Sequence, residues 1–497
     1  MSELFISRDE AEGDLLSCAA FLAERIPGGE EHAEAVSAVV PRYLARGNVD
    51  LAAEFANTVD DPFVRDRLLI SVASKCAELD DVEYALQLAD AVEEDGLRSQ
   101  AIERIAKQLA EKGDIERARS LAENILHPDE ALAAIAIRQA ADGDRDGAVQ
   151  TLSEIDYPGS AAAAMLQIAH AAISREDADY AAEVLESAEV TAQEIEHEEE
   201  RIRTLTEVGH SFIDAGRNDK AIAAFDRARG FAEELDNVHR DNTLGAISVG
   251  FMRAGSVDLA DRTLDMVKDK TQISTALLGF AREYSRRGEM EDALEALDEA
   301  YEILRSQHEK ETRDSKAKFA LFGSIAMQFA GFEKGERAIE MAEKIEDADH
   351  AQNAFGQIAV ILTSQGNTGL ARQALKTMSD ETQRVFALIG MSDAAAKNDE
   401  AAGIGLLKEA AEHASALEMQ APKASAWNEI ITRAAAQQSD GLITMAVKEV
   451  LSAAGEMRDQ RAQVKAVAAL SASADEYAEV NSKAHSEALA ALLQQVR

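Results

Sequence analysis

The sequence predicts an all-α fold, an α-solenoid of stacked antiparallel helix hairpins. Three observations predict it. A small turn residue recurs along nearly the whole chain. Small and large apolar residues recur at fixed offsets around it. The segments on both sides carry apolar residues at helical spacing. Around Gly216, Gly209 stands seven residues before, Phe212 four before, Ala221 five after, Phe225 nine after and Ala228 twelve after. Around Gly288 the same offsets give Ala281, Tyr284, Ala293, Leu297 and Ala300. Gly113 gives Ala106, Leu109, Ala118, Ala122 and Ile125, and Gly366 gives Ala359, Leu362, Ala371, Leu375 and Met378.

Twelve anchors follow from this phase: Gly47, Asp80, Gly113, Gly143, Glu176, Gly216, Gly255, Gly288, Glu333, Gly366, Asn398 and Gly441. Five of the eleven intervals are 33 residues, so one unit is a pair of short helices. Gln100–Ile125 makes the unit readable. Ala101, Ile102, Ile105, Ala106, Leu109 and Ala110 form one apolar stripe. Gly113 ends that helix in the left-handed conformation, Asp114 caps the next, and Ile115, Ala118, Leu121, Ala122 and Ile125 form its stripe. A turn this short permits only an antiparallel hairpin. The recurring alanines and glycines let the helices approach, and Phe212, Phe251 or Tyr284 fills the space between units.

Glutamate tolerates the left-handed region poorly, so the turns at Glu176 and Glu333 are expected to differ in shape or to be displaced by one residue. Four intervals are long. Their extra residues are Thr191–Arg201, Phe231–Asp241, Ile303–Lys318 and Ala414–Lys423. The first three are charge-rich with helix formers and predict lengthened helices, and the fourth holds Pro422, which marks a helix start. Residues 1–32 are expected to hold an N-terminal capping helix, Arg8–Ile26. Residues 33–459 form the repeat array. Residues 460–497 supply C-terminal capping helices, Gln460–Ala472 and Asp475–Gln495.

Gly209-x-x-Phe212-x-x-x-Gly216-x-x-x-x-Ala221-x-x-x-Phe225-x-x-Ala228 resembles the tetratricopeptide repeat (TPR), and the segment Ala281 to Ala300 is similar. The units are divergent. The family's tryptophan is absent from them, and its closing proline is mostly missing. The resemblance implies a right-handed superhelix of about twelve hairpins with first helices lining a concave groove. It implies a binding scaffold and no particular chemistry.

Composition narrows the partners. Lys+Arg number 51 and Asp+Glu 92, a formal net charge of −41. Nucleic acid and anionic membrane are bound through basic patches, and no basic cluster of that size occurs. Acidic outer faces or a high-salt habitat would both produce this charge. Two cysteines, Cys18 and Cys76, sit in apolar helical stretches and fit a reducing cytoplasm. No basic leader with a long apolar run opens the chain, and no run of 18 apolar residues predicts a membrane helix.

No phosphate loop, dinucleotide fingerprint, zinc-protease or nucleophile-elbow motif occurs. His197, within Ile195-Glu-His-Glu-Glu-Glu200, reads as part of a solvated acidic helix face. No catalytic residue, metal ligand or cofactor is predicted, and the chain is read as a non-enzyme. Residues six, ten and thirteen before each anchor are expected to face the groove. Of 24 such residues only Glu103 and Glu130 are acidic. Arg203, His210, Asn242, Arg282 and His170 stand out as partner-binding residues. Gly113, Gly143, Gly216, Gly255, Gly288, Gly366, Ala118, Ala221, Ala293 and Ala371 are the turn and packing residues. This lining suits a peptide or helix of a partner protein. A peptide-responsive sensor and a self-assembling structural component are the alternatives. A clamp for a C-terminal carboxylate would need asparagine six before an anchor, and none stands there.

A chain of net charge −41 repels itself, and salt screens such repulsion beyond about 10 Å at 0.1 M. The thermal midpoint is expected to rise with added sodium chloride. A flat or falling midpoint would remove a high-salt habitat as the source of the acidity.

Overall fold

The computed structural model describes residues 5–306, 315–477 and 484–495. Those residues form helices joined by short turns and contain no strand. Helices α1 (Arg8–Gly13) and α2 (Leu15–Ala23) come first. Consecutive pairs follow: α3 (Glu30–Ala45) and α4 (Val49–Asn57), α5 (Pro62–Glu78) and α6 (Val82–Asp90), α7 (Asp95–Lys112) and α8 (Ile115–Ala122), α9 (Asp129–Asp142) and α10 (Arg145–Leu152). Next come α11 (Pro158–Ser174) and α12 (Ala178–Ala192), α13 (Glu198–Asp214) and α14 (Asn218–Glu234), α15 (Arg240–Arg253) and α16 (Val257–Leu264), α17 (Lys270–Arg287) and α18 (Met290–Arg305). The series continues with α19 (Ser315–Gly331) and α20 (Gly335–Ala342), α21 (Ala348–Ser364) and α22 (Thr368–Thr377), α23 (Glu381–Ala396) and α24 (Glu400–Ser415), α25 (Gln420–Ala436) and α26 (Asp440–Glu456). Helices α27 (Gln460–Glu476) and α28 (Ala484–Gln495) are last. The result is a tetratricopeptide-like array of helical hairpins.

The turns repeat one design. At Gly113 the backbone is left-handed, φ 92°, and Asp114 N–H bonds back to Leu109 C=O at 2.9 Å. The Asp114 carboxylate then accepts from Arg117 N–H, capping α8. Asn48, Asp81, Asp144, Asp177 and Asn367 cap their second helices in the same way. The turns at Glu176 and Glu333 neither change shape nor shift. Both residues are themselves left-handed, at φ 63° and 59°. Asp177 N–H reaches Ala172 C=O at 2.9 Å, so the backbone bonding of the turn overrides the side chain's preference. The last turn is displaced instead. Gln438, at φ 52°, takes the left-handed position, and Gly441 lies inside α26. Asn398 is not left-handed; there Asp399 is extended and caps α24 through Ala401 and Ala402 N–H.

Second helices range from 8 to 17 residues, with α4 and α6 at 9, α22 at 10 and α26 at 17. Those of α8, α10, α16 and α20 have 8 residues, whereas α12, α14, α18 and α24 have 15 to 17. These four lie within the four long intervals, so the added length is in second helices. The segments named from sequence instead begin in the last residues of each second helix and run across the junction into the next first helix. Part of the Ile303–Lys318 segment, 307–314, lies outside the described residues.

The chain divides into two compact units. One comprises residues 102–332, the other residues 1–101 with 333–497. In the middle unit the first helices α9, α11, α13, α15, α17 and α19 pack side by side. Phe212, Phe225 and Phe251 are fully buried between them. A Cβ on Gly209 or on Gly250 would lie 2.5 or 2.6 Å from the Phe225 ring, so both first helices need glycine where this aromatic from α14 enters.

In the other unit the corresponding row runs α21, α23, α25, α27, α3, α5. Helix α27 therefore occupies a first-helix place beside α3, and α2 packs along it. Glu34 on α3 pairs with Lys465 at 2.8 Å and Arg461 at 3.4 Å, while Arg46 joins Asp14 at 2.9 Å to Asp475 at 2.8 Å. Burial alone would raise the Asp14 carboxyl; Arg46 and the Ser17 N–H hold it below the ordinary range. The region expected as one helix, Arg8–Ile26, is two. Asp14 is extended, φ −143°, and its carboxylate caps α2 through Ser17 N–H. The last helices likewise differ from the expected limits: α27 runs on to Glu476, and residues 478–483, inside the expected Asp475–Gln495 helix, lie outside the described residues.

A left-handed conformation costs a non-glycine residue about 1 kcal/mol. Replacement Glu176→Gly is expected to stabilise the protein by up to that amount, and Gly216→Ala, at φ 73°, to destabilise it similarly. The midpoint of urea unfolding tests both. No gain from Glu176→Gly would mean that the turn stores no strain.

Candidate functional site

The five residues singled out for partner binding lie on consecutive first helices of the middle unit. His170 is on α11, Arg203 and His210 on α13, Asn242 on α15 and Arg282 on α17. Their environments differ. His170 Nε2 lies 2.9 Å from Ser211 Oγ, and that hydroxyl donates to the Glu207 carbonyl, so the imidazole is the donor. His210 is half-buried with its ring edge-on to Phe225, centroids 5.1 Å apart. Arg253 Nη1 stands 3.3 Å from His210 Nδ1, and its other nitrogen pairs with Asp214 at 2.5 Å. Burial pushes the His210 pKa down, and the Arg253 guanidinium pushes it further; Asp214 opposes both. The two histidines are thus engaged within the protein.

Arg203 and Asn242 are brought together. Both are exposed, and both line one open groove of about 560 Å³ between α13 and α15. Ile202, Thr206 and Glu207 contribute from α13, and His239, Thr243 and Ala246 from α15 and its N-cap. His197, Glu199 and Glu200 close its end. Glu199 accepts from the Asn237 amide at 3.0 Å, and Glu200 accepts from the Tyr157 hydroxyl. Among the described residues Arg203 makes no ion pair, and the Asn242 amide and the Glu207 carboxylate make no hydrogen bond. Arg282 lies outside this groove.

Positions thirteen and ten before the anchors thus find this groove, through Arg203, Thr206 and Asn242. Position six does not, because His210 sits where α14 presses Phe225 against α13. The groove continues toward the helix starts, where Glu200 and His239 stand sixteen before their anchors. His197 belongs to that end, although its acidic surroundings read as a plain solvated face. Its signal was positional: it stands at the N-cap of a first helix.

Chemistry elsewhere is sparse. Among the described residues no group of three or more His, Cys, Asp or Glu is placed to hold a metal ion, and no helix is long and apolar enough to cross a membrane. Cys18 and Cys76 are buried, and burial pushes their thiols up to about 12 and about 11, far from the thiolate a nucleophile needs.

No family model matches the chain, and no curated protein matches it. Solved structures of helical proteins are similar to it at low scores. Ton1535 from Thermococcus onnurineus is 17% identical over 71% of this chain and 97% of its own, with a TM-score of 0.25. The apo form of the quorum sensor NprR from B. thuringiensis is 12% identical over 64% and 98%, TM-score 0.25. The human IFIT1 dimer with PPP-AAAA is 14% identical over 83% and 96%, TM-score 0.27.

A histidine whose folded pKa is depressed favours folding above its ordinary pKa, about 6.5, and loses that contribution as pH falls through the folded value. Histidine-selective NMR is therefore expected to find His210 titrating below 6.5, and Arg253→Ala is expected to raise it. Titration of His210 at or above the ordinary value would contradict the buried, arginine-flanked environment.

Proposed function

We propose that this protein is a non-catalytic interaction scaffold that holds a segment of a partner protein on its first-helix face, anchored in the groove between α13 and α15. The observation that carries this reading is the pair of unengaged donors there, Arg203 and Asn242, with the free Glu207 carboxylate one turn from Arg203 on α13. A guanidinium takes a carboxylate in a charge-assisted, two-pronged geometry, and a carboxamide suits a peptide bond because it both donates and accepts. An open groove bearing groups of both signs fits an extended or helical peptide with an acidic side chain near a basic one. The acidic surface opposes nucleic acid, and two buried free thiols suit a reducing cytoplasm.

Affinity capture from native lysate, with wild type beside Arg203→Glu/Asn242→Asp, tests the proposal. Proteins held by wild type and lost by the variant, with unchanged circular dichroism, are the expected result. Equal capture by both would reject the groove as the binding site.

A further inference from the structure

The second-helix face carries a separate cleft. Some neighbouring second helices are tied together by ion pairs, α12 and α14 by the most. Between α12 and α14 these are Arg217–Asp179 at 2.5 Å, Lys220–Glu186 and Arg227–Glu189. Between α8 and the end of α10, Arg119 pairs with Glu154 at 2.5 Å. Arg227 stands eleven residues after its turn anchor, and its partner Glu189 thirteen after the preceding anchor. The same offsets one hairpin earlier give Ser187 on α12 and Asp156 just beyond the end of α10, both lining one cleft. The acid is retained and the cation is missing. Among the described residues the ion pair between α10 and α12 is Arg145–Asp177, at 2.5 Å near the turns.

Beyond that pair a cleft of about 380 Å³ opens. Val149 and Leu152 of α10 form one wall, Val184 and Thr191 of α12 the other, and Met165 and Ile168 of α11 the floor. Val149 is 64% exposed. Asp156 and Glu194 stand at the far end, both exposed and lining the cleft. Neither carboxylate has an ion pair or hydrogen bond among the described residues. The C-terminal ends of α10 and α12 lie there too, and helix C-termini add partial negative charge.

We propose that this cleft binds a short amphipathic segment of a partner protein, with apolar side chains between α10 and α12 and an arginine or lysine on Asp156 and Glu194. The partner's cation takes the place that Arg227 fills one hairpin later. Charge complementarity selects this occupant, because a second copy of a chain of net charge −41 is repelled by an anionic mouth.

The probe is a phage-displayed library of twelve-residue peptides, selected on the full-length protein. Enriched peptides are then measured by fluorescence anisotropy. The expected peptides combine apolar residues at helical spacing with a nearby arginine or lysine. Ser187→Arg, which supplies the missing cation in place, is expected to abolish their binding. Asp156→Asn/Glu194→Gln, at exposed positions that leave the fold intact, is expected to weaken it about tenfold, the loss of one charge-assisted contact. Arg203→Glu is expected to leave it unchanged, which separates this site from the first-helix groove. Three results would overturn the proposal: no enriched peptides, peptides without a basic residue, or binding that survives Ser187→Arg. A dimer in sedimentation that Ser187→Arg dissolves would overturn it as well, assigning the cleft to a second copy.

Discussion

A single helix pair of this kind has an apolar stripe on each helix and no way to cover both. It must be covered by the next pair, and that requirement orders everything else in the molecule. Coverage demands close approach, which is why alanine or glycine stands at the recurring positions: Ala118, Ala221, Ala293 and Ala371 are all fully buried. The demand is sharpest at Phe225. Its ring enters between α13 and α15 where each presents glycine, and no larger residue fits at either place without displacing it. Once that contact is made, the two first helices are fixed in register. Arg203 and Asn242 then fall on the two sides of one groove, although 39 positions separate them in sequence.

The two faces of the middle unit use charge differently. On the second-helix side most cations are consumed in pairing one helix to the next, as Arg119, Arg145, Arg217, Lys220 and Arg227 show. Pairs of this exposure contribute little stability each, about 0–1 kcal/mol. Their effect is to set the spacing of neighbouring helices and to leave a surplus of acid outside. On the first-helix side Arg203 and Asn242 are left free. Charge that is neutralised internally is taken up between neighbouring helices; charge left unengaged is available to another molecule.

Local features were legible in the sequence. The left-handed turns at Gly113, Gly216 and Gly288 announce themselves through glycine followed by a capping residue or helix former, and the long second helices through the stretched intervals. Glu176 and Glu333 misled because side-chain preference is a small term beside the backbone hydrogen bonds that close the turn. Gln438 misled for the opposite reason: glycine three residues later offered a stronger local signal than the true turn. Asp14 interrupts its helix because its carboxylate caps the next one, and nothing in the apolar spacing betrays that choice. The groove was half legible. Its −13 and −10 positions follow from helical phase, but the fate of His210 depends on an aromatic ring arriving from a different helix. Packing of α2 along α27 had no sequence signature at all, since it links residues more than 400 positions apart by contacts that no local pattern encodes.

That last packing has a consequence for how the chain is made. Of the nine residues of α2, eight are buried, and only Ser17 is not, so this helix has no face suited to water. Its companion α27 begins at Gln460. A ribosome adding about 5–20 residues per second needs on the order of a minute to travel between them. Throughout that interval Leu15, Leu16, Phe21 and Leu22 lack the surface that later covers them, while residues 102–332 already have every partner of their own unit. Synthesis therefore completes the middle of this protein before its beginning, and the opening apolar helix is the segment a nascent-chain chaperone has most reason to hold.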